Sequence, residues 1–265
     1  MKVYDCFPFF NELDLLEIRL NTLNDVVDYF VISECTHTFT GKPKELHFQK
    51  HIDRFSKFKD KIIYSIVSDS PEDYDTASRE IFQKNAILRP LENCSNNDVI
   101  LISDLDEIPN PIKVKEVLSD MNPQKIYVFK QNFYYYYINN LIEEDYFGTK
   151  KWNGTRLCTY EIFKFLKVNS IRNRDQMLPY SIDVSDGGWH FSFIGGKEKI
   201  LEKLDAYAHQ EYNTDEVRNA LDKNMDCNTQ DLFFRKMTAK VVSLDDTYPK
   251  YLLENIDKYI HLVRN

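Results

Sequence analysis

Residues 99–103 of this chain read Val-Ile-Leu-Ile-Ser, and the run ends in Asp104-Leu105-Asp106-Glu107-Ile108-Pro109. Consecutive apolar residues without polar alternation belong to a strand covered on both faces, the condition of an interior strand in a parallel sheet. Such sheets are built from βαβ units, and their ligands sit outside the carboxyl ends of the strands. Two carboxylates spaced i and i+2 at that end are oxygen donors for a hard cation, Mg²⁺ or Mn²⁺ rather than zinc. The run thus constrains the fold to α/β and points the chemistry toward a metal–diphosphate site.

The rest of the chain fits such a sheet. Residues 2–6 read as a first strand, and a helix opens at Asn11-Glu12 with Leu13, Leu16, Leu20 and Leu23 on one stripe. Residues 28–34 form a second strand that ends in Glu34, residues 62–67 a third, and residues 76–91 a long helix leading into the aspartate strand. Beyond the aspartates we expect a helix over 112–121, a strand over 125–130 that runs into Phe133-Tyr134-Tyr135-Tyr136-Tyr137, and short strands over 159–166 and 188–194. From residue 197 onward the pattern is mainly helical. The expectation is a mixed, mostly parallel central sheet flanked by helices over residues 1–210. A helical extension over 211–265 packs on the same domain.

With 265 residues, 43% of them hydrophobic and 29% charged, the chain is long enough to bury a substantial core. A net charge of −8 argues against the phosphate backbone of nucleic acid as the main partner, and a phosphorylated ligand would need a bound cation to enter. The five cysteines show neither a CxxC pair nor zinc spacing. No secretory leader or membrane-length apolar run is visible, so the sequence alone suggests a soluble, cytoplasmic protein.

Several blocks together resemble glycosyltransferase family 17, the bisecting N-acetylglucosaminyltransferase family: residues 5–20 (Asp-Cys-Phe-Pro-Phe-Phe-Asn-Glu through Arg19-Leu20), Val31-Ile32-Ser33-Glu34 with Phe39-Thr40-Gly41-Lys42-Pro43-Lys44, residues 104–109, and Gly188-Trp189-His190-Phe191-Ser192-Phe193. In order and spacing they cover residues 3 to about 210, and the remainder matches loosely. The resemblance implies a GT-A-like fold, a UDP-sugar donor (UDP-N-acetylglucosamine in relatives), Mn²⁺ or Mg²⁺, and inverting transfer to a hydroxyl of a glycan or glycoconjugate.

On that expectation Asp106 is the direct metal ligand. Asp104 binds through metal-held water or contacts the ribose, and Glu107 stands behind them. His190, after Gly187-Gly188, completes the metal shell or donates to the diphosphate, with His209 as the alternative. Glu34 at its strand end accepts from uracil or ribose, and Lys42 neutralises phosphate. Arg79 forks onto phosphate or onto Asp104, while Arg172 and Arg174 form a second basic cluster facing the diphosphate or a carboxylated acceptor. An inverting transfer needs a base to deprotonate the acceptor hydroxyl, and Asp186 and Glu161 are its two candidates. Trp152 and the aromatic run offer faces for sugar, but alternate rings of a strand point to opposite sides, so at most half of the run lines a site. The competing readings are a sugar nucleotidyltransferase, which needs a glycine-rich phosphate loop absent from residues 7–11, and a carbohydrate-binding protein with a structural cation.

Overall fold

The computed structural model describes residues 1–172 and 178–264. Arg174 lies outside the described residues. Strands β1 (Val3–Phe9), β2 (Tyr29–Cys35), β3 (Ile62–Val67) and β4 (Val99–Ile102) run in the order β4-β1-β2-β3, and every pairing among them is parallel. Helices α1 (Leu13–Leu23), α2 (His47–Lys50) and α3 (Thr76–Asn85) make the crossovers, and residues 86–91 continue α3 as a tighter turn containing Pro90. The order reverses between β1 and β4, which opens a crevice at their carboxyl ends.

Period-2 alternation divides this half into two cores. Phe7 and Phe9 of β1, Phe30 and Ile32 of β2, and Val99 and Leu101 of β4 face α1. Cys6, Val31, Ile100 and Ile102 face the opposite layer, with Ile87, Leu91 and Phe163. Both faces are covered, which is why β4 reads as an unbroken apolar run.

The second half is mixed. β5 (Glu107–Pro109) leads into α4 (Pro111–Ser119), which has Pro111 at its first turn and Asn110 accepting from the Ile112 amide as its cap. Then follow β6 (Ile126–Tyr135), β7 (Asn140–Glu144), β8 (Trp152–Thr159), α5 (Tyr160–Arg172), β9 (Ser181–Val184) and β10 (Gly188–Ser192). β8 inserts antiparallel between β4 and β6, while β10 pairs parallel with β6 and antiparallel with β5. The expected mixed α/β sheet flanked by helices is present. One local expectation is corrected: residues 159–166 are not a strand. The strand is β8, and the β-branched and aromatic residues after it are the first turns of α5, which buries Tyr160, Phe163, Val168 and Ile171 at spacings of three to five and breaks direction at Lys167 (φ 61°). Burial of a helical stripe overrides strand propensity here.

α6 (Gly196–Ala206) and α7 (Asp215–Met225) follow, and then β11 (Thr238–Val241) joins the outer edge of the sheet through β7. α8 (Lys250–Glu254) and α9 (Ile256–Tyr259) follow, with the helical pattern interrupted at Asn255. The segment after residue 210 therefore supplies a strand as well as helices, and Tyr248, Leu252, Tyr259 and Leu262 enter the main core. Buried Glu17 of α1 ties this segment down, accepting from Tyr251 Oη at 2.9 Å and from Lys258 Nζ. Among the described residues no helix is long and apolar enough to cross a membrane.

Candidate active site

The turn that carries the aspartates is held from beneath. Asp5, the one acid inside β1, forms a fully buried ion pair with Arg19 of α1 at 2.6 Å. The same guanidinium donates from Nη1 to the carbonyls of Asp104, Leu105 and Glu107 at 3.0, 3.0 and 2.9 Å, and from Nη2 to Ser103 Oγ at 2.7 Å. A planar fork with several donors suits this task as an ammonium would not. Arg19 lay hidden in the apolar stripe of α1; its signal was a charge on that stripe, matched by a lone acid in the neighbouring strand.

Above the turn a cavity of about 500 Å³ opens at the carboxyl ends of β1, β2 and β4. Asp104 and Asp106 stand on its wall with His190, and their side chains are 38% and 9% exposed. β10 places His190 beside Glu107 in one register and Phe133 in the other. Its ring stacks on Phe133 (4.8 Å, 7°) and leans on Trp152 at 4.7 Å. Gly188 makes this possible: at φ 123° a Cβ would fall 2.2 Å from the Ile108 carbonyl. His190 is 6% exposed, its Nδ1 has no hydrogen-bond partner, and its Nε2 lies 3.6 Å from Asp106 Oδ1. Burial pushes the imidazole below its ordinary pKa, against the pull of Asp106, so the ring is neutral and keeps a lone pair.

Among the described residues, three cations surround these acids. Arg172, at the end of α5, forks onto Glu107 at 2.6 and 2.8 Å and reaches Asp104 at 3.1 Å. Lys84 of α3 joins Glu80 at 2.8 Å and Asp104 at 3.5 Å. Lys203 of α6 lies 3.1 Å from Asp106 Oδ2 and 3.7 Å from Glu12. Burial works to raise the pKa of both Asp104 and Glu107, but Arg172 foremost outweighs it and holds each below the ordinary carboxylate range. Glu107 also accepts from Trp152 Nε1 at 2.7 Å, so it is bound on both oxygens and serves the framework.

The donor set suits a hard divalent cation. Two carboxylates and an imidazole whose Nε2 stands beside Asp106 line one cavity, and among the described residues no cage of three acid, His or Cys side chains is already assembled. A cation here would draw its remaining ligands from phosphate and water, the habit of Mg²⁺ and Mn²⁺ at nucleotide sites.

The structure brings Asp104, Asp106, His190 and Arg172 together and leaves the other expected residues elsewhere. Glu34 shares the face of Phe30 and Ile32, opposite Ser33 and Cys35, which line the cavity. It is wholly buried and accepts from Lys44, the His47 and Phe48 amides and Tyr64 Oη, so no oxygen is left for a ribose. Lys42 is exposed on the 36–44 loop and does not line the cavity, whereas Lys44 does. Arg79 is buried against the carbonyls of Phe39, Pro71 and Glu72, so it pins that loop and does not reach Asp104. Neither candidate base lines the cavity. Glu161 follows β8, whose antiparallel register sets Thr159 beside Val99, so it lies at the amino end of β4, the far end from Asp104. Asp186 is exposed in the β9–β10 turn, with its carbonyl accepting from Asn110. His209 reaches the cavity rim and pairs with Glu211 at 2.9 Å.

Beyond His190 the cavity becomes aromatic. Phe133 and Tyr135 line it while Tyr134 turns into the main core, as strand alternation requires. Tyr146, Tyr207, Tyr212 and Phe233 complete this lobe, with the Arg235 guanidinium 3.6 Å from the Tyr146 ring centre. Asp231 and Asp145 also lie here, but their oxygens are taken by the backbone turns they close and by Arg235.

The family model described as glycosyltransferase family 17 matches residues 1–264. Over 117 residues, 41% of this chain, the sequence is 31% identical to the β-1,4-mannosyl-glycoprotein 4-β-N-acetylglucosaminyltransferase of Rattus norvegicus and 32% identical to that of Homo sapiens. The match spans 22% of each relative's length. Among solved structures, S. aureus TarS is similar at 13% identity and a TM-score of 0.43, over 85% of this chain and 71% of that one. Glucosyl-3-phosphoglycerate synthase from Mycobacterium tuberculosis, solved with Mn²⁺, UDP-glucose and phosphoglyceric acid, is 13% identical with a TM-score of 0.43, over 95% of this chain and 91% of that one.

Proposed function

The chain belongs to glycosyltransferase family 17, and from that premise we propose that it transfers a sugar, N-acetylglucosamine in the first instance, from a UDP-sugar to a hydroxyl of a glycan or glycoconjugate, with inversion and with Mn²⁺ or Mg²⁺ bound. The observation that carries the reading is the convergence of Asp104, Asp106 and an unpartnered, neutral His190 on one cavity at the carboxyl end of β4. These three side chains would hold the cation, which supplies Lewis-acid stabilisation to the departing diphosphate.

The chain's own residues do the remainder. Arg172, itself clamped by Glu107, keeps Asp104 ionised and oriented, and Arg19 holds the turn by its backbone carbonyls. The lobe of Pro8, Phe9, Phe10, Ser33 and Cys35 receives the nucleoside, while the lobe of Tyr146, Tyr207, Tyr212 and Phe233 offers faces for the C–H side of an acceptor sugar. The general base belongs among acids that reach this space, and Glu12, at the mouth of α1, is placed there with its carboxylate near Lys203.

Calorimetric titration of UDP and of UDP-N-acetylglucosamine with Mn²⁺ present tests the reading, together with metal-dependent release of UDP. Binding that requires Mn²⁺ and drops at least tenfold in Asp106→Ala is the expected result. A wild-type protein that binds neither UDP nor the sugar nucleotide overturns it.

A further inference from the structure

The three cations around the aspartates are not equally tied. Arg172 is clamped by both oxygens of Glu107 and would stay in place if Asp104 turned to a metal. Lys84 keeps Glu80 at 2.8 Å whatever Asp104 does. Lys203 differs: its close partner is Asp106, a carboxylate proposed above to bind the metal, and Glu12 stands off at 3.7 Å. Its ammonium rides over the Phe193 ring at 5.3 Å, on a side chain 28% exposed to the cavity, so it has both room and a flexible stem. A divalent cation on Asp106 would lie within a few ångströms of that ammonium, and the repulsion between them is strong in a water-poor pocket.

We propose that Lys203 is an exchangeable counter-ion. It neutralises Asp106 while the donor is absent and transfers to a diphosphate oxygen when metal and nucleotide enter. Metal alone must displace Lys203 with nothing to receive it. Metal with diphosphate gives the ammonium a new anionic partner. The two ligands therefore bind cooperatively, and the coupling resides in Lys203. This rests on the donor-site reading above.

The test measures free Mn²⁺ by electron paramagnetic resonance during titration of the whole chain, with and without UDP, in the wild type, Lys203→Met and Lys203→Gln. In the wild type, UDP is expected to tighten Mn²⁺ binding at least tenfold. In the variants Mn²⁺ alone binds several-fold tighter than in the wild type, and the gain from UDP shrinks by about the same factor. Thermal melting identifies folded variants, and if Lys203→Met does not fold, Lys203→Gln is judged by the same two quantities. Folded variants with wild-type Mn²⁺ affinity and wild-type gain, or with weaker Mn²⁺ binding in the absence of UDP, overturn the role of Lys203 and leave the donor site standing. A wild type whose Mn²⁺ binding ignores UDP removes the donor site and this inference together.

Discussion

Arg19→Lys separates the shape of the buried cation from its charge. The guanidinium makes six hydrogen bonds, two to Asp5, one to Ser103 Oγ and three to the carbonyls of Asp104, Leu105 and Glu107. An ammonium has three protons, so at least three acceptors lose their partner in a site that no water reaches. At about 1 kcal/mol net for each lost bond the variant is destabilised by about 3 kcal/mol. For a chain of this size, about 2 °C per kcal/mol lowers the melting temperature by about 6 °C. Arg19→Met is worse, by about 3–5 kcal/mol, because it strands the Asp5 carboxylate without a counter-charge. The second consequence is functional: released from Nη1, the turn shifts its two aspartates, and displacements of about 1 Å at a site cost on the order of 10²-fold in rate. Melting followed by circular dichroism and UDP titration with Mn²⁺ read the two effects separately. A variant that melts within about 1 °C of the wild type and binds UDP equally well would refute the reasoning. It would mean that the turn stands on its own bonds, from Ser103 Oγ and the Glu107 amide.

Glu17 should give a measurable acid dependence. Burial works to raise its pKa, but Lys258, Arg54 and Tyr251 together hold it below the ordinary glutamate value of 4.5. A depressed folded pKa contributes stability that is present above 4.5 and lost as pH falls through the folded value. Glu17→Gln should therefore lower the melting temperature at pH 7 by a few degrees, with the gap narrowing toward pH 3; a gap that does not depend on pH would contradict this. Gly188→Ala must move the Ile108 carbonyl or its own strand, since the added Cβ would stand 2.2 Å away. The expected cost is about 2–5 kcal/mol, together with weaker UDP binding as His190 is displaced, and a variant with wild-type melting and affinity counts against the register argument.

The framework was legible where one physical demand dominates the local sequence. Strands covered on both faces need apolar residues, so β2 and above all β4 stand out, and the aspartates follow from the last of them. The stripe of α1 was equally plain. Legibility failed where tertiary burial decides between equal local options. Residues 159–166 are rich in the aromatic and branched side chains of a strand, yet Tyr160 and Phe163 are buried three apart as the opening turns of a helix. Glu34 is a case of parity: one residue earlier or later on β2 would have faced the cavity, but Glu34 itself points into the α1 layer and caps α2. Lys84 and Lys203 come from helices 119 residues apart in sequence, and nothing local marks a lysine that a distant carboxylate will recruit. Asp104, Asp106 and His190 were singled out because they lie in motifs, and Arg172 as one of a basic pair; the two lysines beside them were not.

That arrangement also explains how an acidic protein can receive a polyanion. Among the described residues around the turn, five carboxylates (Glu12, Glu80, Asp104, Asp106 and Glu107) face three cations (Lys84, Arg172 and Lys203), which leaves two negative charges among them beside a neutral imidazole. A diphosphate arriving alone would add its charge to that excess inside a pocket where Coulomb interactions are strong. A divalent cation cancels the excess, and the diphosphate then meets a neutral floor with an ammonium free to turn toward it. Arginine and lysine divide the work: Arg172 and Arg19 hold geometry through multiple bonds, while Lys203, with Asp106 as its close partner and Glu12 at 3.7 Å, is the cation proposed to follow the charge. On the proposed function, the net charge of −8 gains a local meaning, since repulsion of unmetallated nucleotide would make the cation a condition of entry.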